Sequence, residues 1–534
     1  MFPAKASRRT RYSSPEGAAA DYYLTVVAKA YAAVSFKRQL PTAVLRVDPT
    51  KGCYKQRKAA ISSPDAGEFH PAHIMARDIA AELKSFVTAR ENSFVKIYKK
   101  DGIVRNVIPR FLDARMDQVR IYHALHASRA LLETVRAGEA FAFQEAVLAK
   151  ERSKEIAYHS QRDHTCHTLN NFILGWYIYE NSPPLRKSFS EVFEKRKFGI
   201  GRPDHIRFAA VWIYVSLLHD IGYIFEGDFS QPAAFKKHGG IKTAIKCLKD
   251  HFDREFWKSN LLSESDKKAL IGKGVIDKFD ISVSSIGELS DCLQSITDLT
   301  SPLGQVEKVY LKPARNTRNA FDLWSENYRF FANEKMCKKI DKLKVDFEKL
   351  RTQGIKKGGP KIHNHGVCSG LILLRFVTYY YALYYAMKSL ANDKQFSKPT
   401  GRYKMIERDY SIDLWWSGLV WATAATAIHD RYHALVDKKT VDDDRLSFLD
   451  DPLTFLGILV DEMQLWDRFK VFDPTKGHTF DKIPTQSIDV QLENSRTIGK
   501  IVFSAPPHEI DGLRQSLDER LADWREVIFL DFAN

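Results

Sequence analysis

Imidazole and carboxylate groups recur in this sequence at the ends of strongly apolar helical patterns. The positions are His167, the adjacent pair His219 and Asp220, His365, His429 and Asp461. The pair is the most telling of them. It closes the run from Phe208 to Leu218, which is apolar on nearly every face and so must be buried. An imidazole and a carboxylate at the buried end of such a helix cost several kcal/mol unless something pairs with them. A bound cation would do so, and Gly222 just beyond lets the chain turn sharply. Taken alone, the doublet reads equally well as an exposed helix end.

The remaining positions narrow the choice. His164 and His167 share a helix face, and His167 is the better ligand because an apolar helix follows it directly. His365 opens a long apolar helix, with Gly366 and Ser369 leaving room for close packing; His363 belongs to the linker before it. His429 closes a helix with small residues at 422, 424, 425 and 427, and His433 lies one turn beyond. Asp451 and Pro452 predict the cap and first residue of a last helix, along which Asp461 follows an apolar run. Gln464 and Arg468 fall on the face of Asp461 as expected neighbours of a bound phosphate.

A lone helical histidine is usually a satisfied core or surface residue. Six such groups at helix ends are harder to explain that way. Their mixture suits Fe, Mn, Zn or Mg without distinguishing among them, and does not suit a thiolate site. No H-E-x-x-H, Walker A, G-x-S-x-G or G-x-G-x-x-G motif occurs in a fitting context. A Cys–His nucleophile would have to use Cys166 or Cys368, and neither has an activating context.

This order of residues resembles the HD-domain superfamily of metal-dependent phosphohydrolases in its two-metal form. The matching segments are His167 at a helix start, His219-Asp220-Ile-Gly222, His365-Gly366, Ala427-Ile428-His429, and Asp461 on a late helix. The resemblance implies two divalent ions bridged by Asp220. His167, His219 and Asp461 would hold one, and His365 and His429 the other. Many two-metal members carry Lys after the doublet's Gly, where this chain has Tyr223. The separation of Asp220 from His365 implies a long insertion, roughly 228–355. Within it His238-Gly239 competes with His365-Gly366, but Lys236, Lys237 and Lys242 surround His238 and no apolar helix follows it. The likeness covers about 155–470 and neither terminus.

The implied reaction hydrolyses a phosphate ester or anhydride of a nucleotide-like substrate through a metal-activated water, with Asp220 at its centre. Position alone nominates His164 or His433 to donate a proton, and Arg162, Arg431 and Arg468 to clamp phosphoryl oxygens. Tyr223, Phe225 and Trp466 are candidates to stack on a base, although each also reads as a core residue. Two other functions stay open on the same residues. One is a non-catalytic nucleotide or nucleic-acid sensor; the other is a dinuclear iron oxygenase.

Such a site needs helices to position it. Helical patterns run through 113–157, 163–181, 205–221 (with Asp204 as cap), 365–391, 411–436 and 452–468. The expected fold is mainly α, with an HD-type helical core over 111–475, interrupted by the insertion at about 228–355. A basic α+β region is expected over 1–110 and a small β-β-α-β unit over 484–534. In the N-terminal region Thr42 to Val47 reads as a strand, and Phe94 to Ile108 as a hairpin about Asp101 and Gly102.

Composition bounds the partners. The 534 residues hold 81 Lys+Arg against 66 Asp+Glu, a net charge of +15. The excess is uneven: residues 1–60 carry 12 basic against 3 acidic groups, and 334–361 carry ten against four. That balance favours a phosphate-bearing small molecule and admits nucleic acid. Six cysteines without a C-x-x-C pair argue against a disulfide scaffold, and the basic start lacks the apolar run of a secretory signal. A cytoplasmic protein is expected. The apolar stretches near 370–391 and 411–428 include Arg375 and Asp413 and read as buried helices, not membrane spans.

Overall fold

A computed structural model of the chain describes residues 72–98, 102–148, 164–224, 319–354, 365–391, 414–430, 445–466, 491–495 and 500–532, with short gaps. These residues are mainly α-helical, with one small sheet. The expected strand at 42–47 lies outside them.

The chain first forms α1 (Ala72–Thr88), α2 (Ser93–Tyr98), α3 (Ile108–Asp113) and α4 (Asp117–Thr134). The hairpin expected at 94–108 is therefore absent. Phe94, Val95 and Tyr98 recur at a spacing that also fits one helical face, and that face is buried. Gly102, at φ 70°, turns the chain into a π-helical turn over Ile103–Val107 instead of joining two strands. Pro109 then pre-sets the backbone for the first turn of α3.

The central bundle follows. It comprises α5 (His164–Asn181), α6 (Pro183–Lys195) and α7 (Asp204–Leu218). As its composition demands, α7 is buried along most of its length, and its Trp212 indole donates to the Phe172 carbonyl of α5 at 3.0 Å. The cap expected at Asp204 falls one residue earlier, on Pro203. Asp204 instead opens the helix, where a carboxylate is favoured, and lies 3.6 Å from Arg207.

Residues 319–354 close the stretch expected as an insertion, and they form α8 (Ala320–Phe330) and α9 (Glu334–Gly354). Phe321, Trp324 and Tyr328 give α8 a buried face that joins the bundle core. The Trp324 indole donates to Thr423 at 2.9 Å. Next come α10 (His365–Ala391), a π-helical turn over Leu414–Leu419 that runs into α11 (Val420–Ile428), and α12 (Pro452–Met463). Asp451 caps α12 by accepting from the amides of Leu453 and Thr454. The same carboxylate accepts from the Tyr328 hydroxyl at 2.5 Å and the Trp421 indole at 3.0 Å. One buried group thus fixes three helices.

The chain ends in β1 (Gln491–Ser495), β2 (Lys500–Ala505), α13 (Pro507–Arg520), α14 (Trp524–Val527) and β3 (Ile528–Phe532). In the three-stranded sheet β2 is central, antiparallel to β1 and parallel to β3, with Phe503 opposite Leu530. Arg520 pairs with Glu462 of α12 at 2.7 Å, which fastens this unit to the bundle. No helix among the described residues is long and apolar enough to cross a membrane.

Candidate metal centre

The bundle has two poles. At one of them α7, α11 and α12 end while α5 and α10 begin, and all six expected ligands meet there. His219 and His429 are the residues directly after α7 and α11, His365 is the first of α10, and His167 lies in the first turn of α5. Asp461 lies in the last turn of α12.

Asp220 stands in the middle and faces two ways. Its Oδ2 lies 3.3 Å from His219 Nε2 and 3.6 Å from His167 Nε2. Its Oδ1 lies 3.3 Å from His365 Nε2 and 3.9 Å from His429 Nε2. Asp461 Oδ1 completes the first group, 2.8 Å from His167 Nε2 and 3.7 Å from His219 Nε2. Metal–ligand bonds of about 2.1 Å separate neighbouring ligand atoms by about 3.0–3.4 Å. Two sets, His167 with His219 and Asp461, and His219 with Asp220 and His429, have all their ligand atoms within 4.8 Å of one another, somewhat wider than that spacing.

The four imidazoles are held alike. His219 Nδ1 donates to the Ser216 carbonyl at 2.9 Å and His429 Nδ1 to the Thr426 carbonyl at 2.6 Å, both one turn back on their own helices. His365 Nδ1 meets Asp430 Oδ2 at 2.8 Å, and His167 Nδ1 meets Gln464 Oε1 at 2.5 Å. Three Nδ1 atoms hydrogen-bond to acceptors and that of His365 is in ion-pair contact with Asp430, so every Nε2 is left to face the carboxylates. This is how ligating histidines are oriented by their outer partners. His429 Nε2 is buried and has no hydrogen-bond partner among the described residues. A lone pair so placed fits a cation, and a nitrogen–oxygen donor set suits the borderline and hard divalent metals.

Charge in the site follows from the same contacts. Burial would raise Asp220, but His219, His365 and their neighbours hold its carboxyl well below the usual range. Burial is likewise outweighed at Asp461, which His167 and His219 hold well below it. Against burial, Asp220 and Asp461 raise His219, while Asp430 and Asp220 carry His365 up to about 10. At His429, burial and then the charges of His219 and His365 push the ring down to about 4. Protons on some imidazoles thus balance the two carboxylates, a role that divalent cations can take over.

Close approach of the backbone makes this convergence possible. The turn Ile221–Ile224 packs on the start of α10, where the Gly222 amide donates to Ser369 Oγ at 2.7 Å. A Cβ on Gly222 would strike the His365 carbonyl and come within 2.6 Å of the Ser369 amide nitrogen. No side chain fits there.

Other expected roles divide. His164 is placed beside the cluster, its ring 3.9 Å from that of Tyr223. Tyr223 in turn stacks on His365, with centroids 4.0 Å apart and planes 13° from parallel. Gln464, expected beside phosphate, is instead fully buried and holds His167 through Oε1 and the Trp466 carbonyl through Nε2. Trp466 is a core residue packed towards Phe503, and Cys166 and Cys368 are buried in the core. Arg162, His433, Arg431, Arg468, Phe225 and His238 lie outside the described residues. Two residues that touch the cluster escaped the sequence reading. Asp430 was passed over beside His429, and Asn171, one turn beyond His167, places its Nδ2 3.1 Å from His167 Nε2. The adjacent polar pair Asn170-Asn171 inside an apolar helix was the available signal. No family model, curated protein or solved structure matches this chain.

Proposed function

We propose that this chain is a metal-dependent phosphohydrolase or phosphodiesterase with an HD-type core, acting on a nucleotide-like substrate. One observation carries the proposal: four imidazole Nε2 atoms converge on the two oxygens of Asp220 and on Asp461, each imidazole oriented through Nδ1. His167, His219, Asp220 and Asp461 would hold one ion, and His365, His429 and the second oxygen of Asp220 another. Divalent ions there would activate a water molecule and neutralise charge developing on phosphoryl oxygens. The protein's own part is to fix the ligands, through Ser216, Thr426, Asp430 and Gln464, and to keep the carboxylates ionised. His164, whose ring lies beside that of Tyr223 at the cluster, would hand a proton to a leaving oxygen.

Metal analysis of the purified chain, joined to a hydrolysis screen over linear and cyclic nucleotides, tests this. About two ions per chain and turnover of at least one phosphate ester are expected. A folded protein that retains no Fe, Mn or Zn after supplementation removes the reading. A second reading, a nucleotide sensor without turnover, is favoured by Tyr223, an aromatic ring where many two-metal members of the resembled superfamily carry a phosphate-facing Lys. Ligand-dependent stabilisation with metal bound and no hydrolysis would select it. Oxygen consumption by an iron-loaded protein would select the oxygenase.

A further inference from the structure

At the other pole of the bundle lies a cleft of about 1230 Å³ that the proposed function leaves unused. Starts of α7 and of the π-helical turn at Leu414 line it, together with the ends of α4 and α8. Ala209 in its wall precedes His219 by ten residues of one helix, about 15 Å along the axis. Much of the lining is apolar, including Ala209, Ala210, Leu419, Phe331 and Trp416.

Arg196 lines this cleft although it is only 3% exposed. Its Nη1 donates to Asn327 Oδ1 at 2.9 Å and reaches the Ser417 carbonyl at 3.5 Å. The guanidinium carbon lies 4.6 Å from the ring centre of Phe331 and 4.5 Å from that of Trp421. The Tyr328 ring lies 5.4 Å away, so three aromatic rings solvate the charge in part. No carboxylate lies within 4.0 Å of it among the described residues. Asp451, the acid that acts on it from further away, is committed to Tyr328, Trp421 and the cap of α12. A guanidinium has five donor hydrogens, and those on Nε and Nη2 have no partner among the described residues. Burial, offset in part by Tyr328 and Asp451, pushes its pKa down to about 10. In the same wall the buried indole nitrogen of Trp416 also has no hydrogen-bond partner among the described residues. Lys197 and Arg202 stand exposed along the lining, where Glu133 is the single acid and is already paired with Arg129.

A buried cation with idle donors, at the edge of an apolar cleft, lacks an anion. We propose that this cleft binds an amphipathic organic anion, whose carboxylate or phosphate head meets the idle edge of Arg196 while its apolar body lies along Ala209, Ala210 and Trp416. Both heads offer the paired oxygens that a guanidinium recognises in a plane.

Isothermal titration of the full-length protein with dodecanoate, dodecyl phosphate, dodecanol and inorganic phosphate tests it. One of the two amphipathic anions is expected to bind saturably, at least about tenfold more tightly than dodecanol, with inorganic phosphate not saturating. Which anion binds more tightly identifies the head group. Ala210→Trp fills the cleft from a half-buried helix position and should weaken that binding about tenfold or more. Arg196→Met should reduce the anion to the affinity of dodecanol. If Arg196→Met does not fold, Ala210→Trp decides alone. Equal binding of dodecanol and the anions, no saturable binding, or unchanged binding by Ala210→Trp overturns the proposal.

Discussion

The two poles of the helical bundle solve opposite electrostatic problems. At the candidate metal pole the buried Asp220 and the half-buried Asp461 are surrounded by imidazoles whose nitrogens face them, and protons on some of those imidazoles balance the two carboxylates. At the cleft pole a buried guanidinium sits among aromatic rings with its carboxylate held at a distance. The same helices serve both, since α7 and the π-helical turn leading into α11 start at the cleft and end at the metal centre. What differs is the partner each pole keeps. Imidazoles can exchange protons for metal, whereas a guanidinium stays charged and needs either aromatic faces or an anion.

That contrast can be broken most severely at Asp220. Asp220→Ala removes both bridging oxygens, and metal retention and hydrolysis are expected to fall together to background. Helical content by circular dichroism should persist, and titration of the cleft should be unchanged; loss of cleft binding would show that the poles are not separate. Asp451→Ala strikes the other pole. It removes a helix cap and leaves the Trp421 indole and Tyr328 hydroxyl without their acceptor, so unfolding in urea should show a loss of about 3 kcal/mol. Metal content of the folded fraction should not change.

Smaller effects sharpen the comparison within the metal pole. Asp430→Asn keeps the shape but removes the charge behind His365, and metal affinity should fall about 10- to 100-fold, measured by competition with a chelator. Equal affinity would mean that His365 is not a ligand. The smallest signal is a proton. Against burial, Asp430 and Asp220 hold His365 at about 10, so at neutral pH its ring is protonated until a cation takes Nε2. Loading at neutral pH should therefore release a proton, read from calorimetry in buffers of different ionisation enthalpy. The sign for stability is the reverse of a carboxylate's. This pair's contribution is fully present below about pH 6.5 and is lost as pH rises through about 10.

Much of the candidate metal centre was legible because each expected ligand interrupts or bounds an apolar run, and apolar runs announce burial. His219-Asp220 after Leu218 and His429 after Ile428 are of this kind. The cap at Asp451 was legible for a local reason, since Asp before Pro acts within four residues. Partners brought from elsewhere were not. Whether Gln464 faces phosphate or His167 depends on how α12 rotates against α5, and its sequence neighbours carry no such information. Asp430 gained its role only when the end of α11 met the start of α10. Nor does anything near Arg196 reveal that Phe331 and Trp421 enclose it. The hairpin misread at 94–108 failed for another reason. Short apolar segments satisfy the two-residue and the helical period alike, and Asp-Gly turns either kind of element.

The contact between His167 and Asp461 spans 294 residues of chain. Contacts so distant in sequence form only after the entropy of closing the intervening loop has been overcome, which places this one late in assembly. An ion bound by both residues would act as a reversible crosslink between early and late parts of the chain. Its affinity for the native state alone would raise the unfolding free energy with metal concentration. Metal occupancy would then report on completed folding as well as on readiness for chemistry.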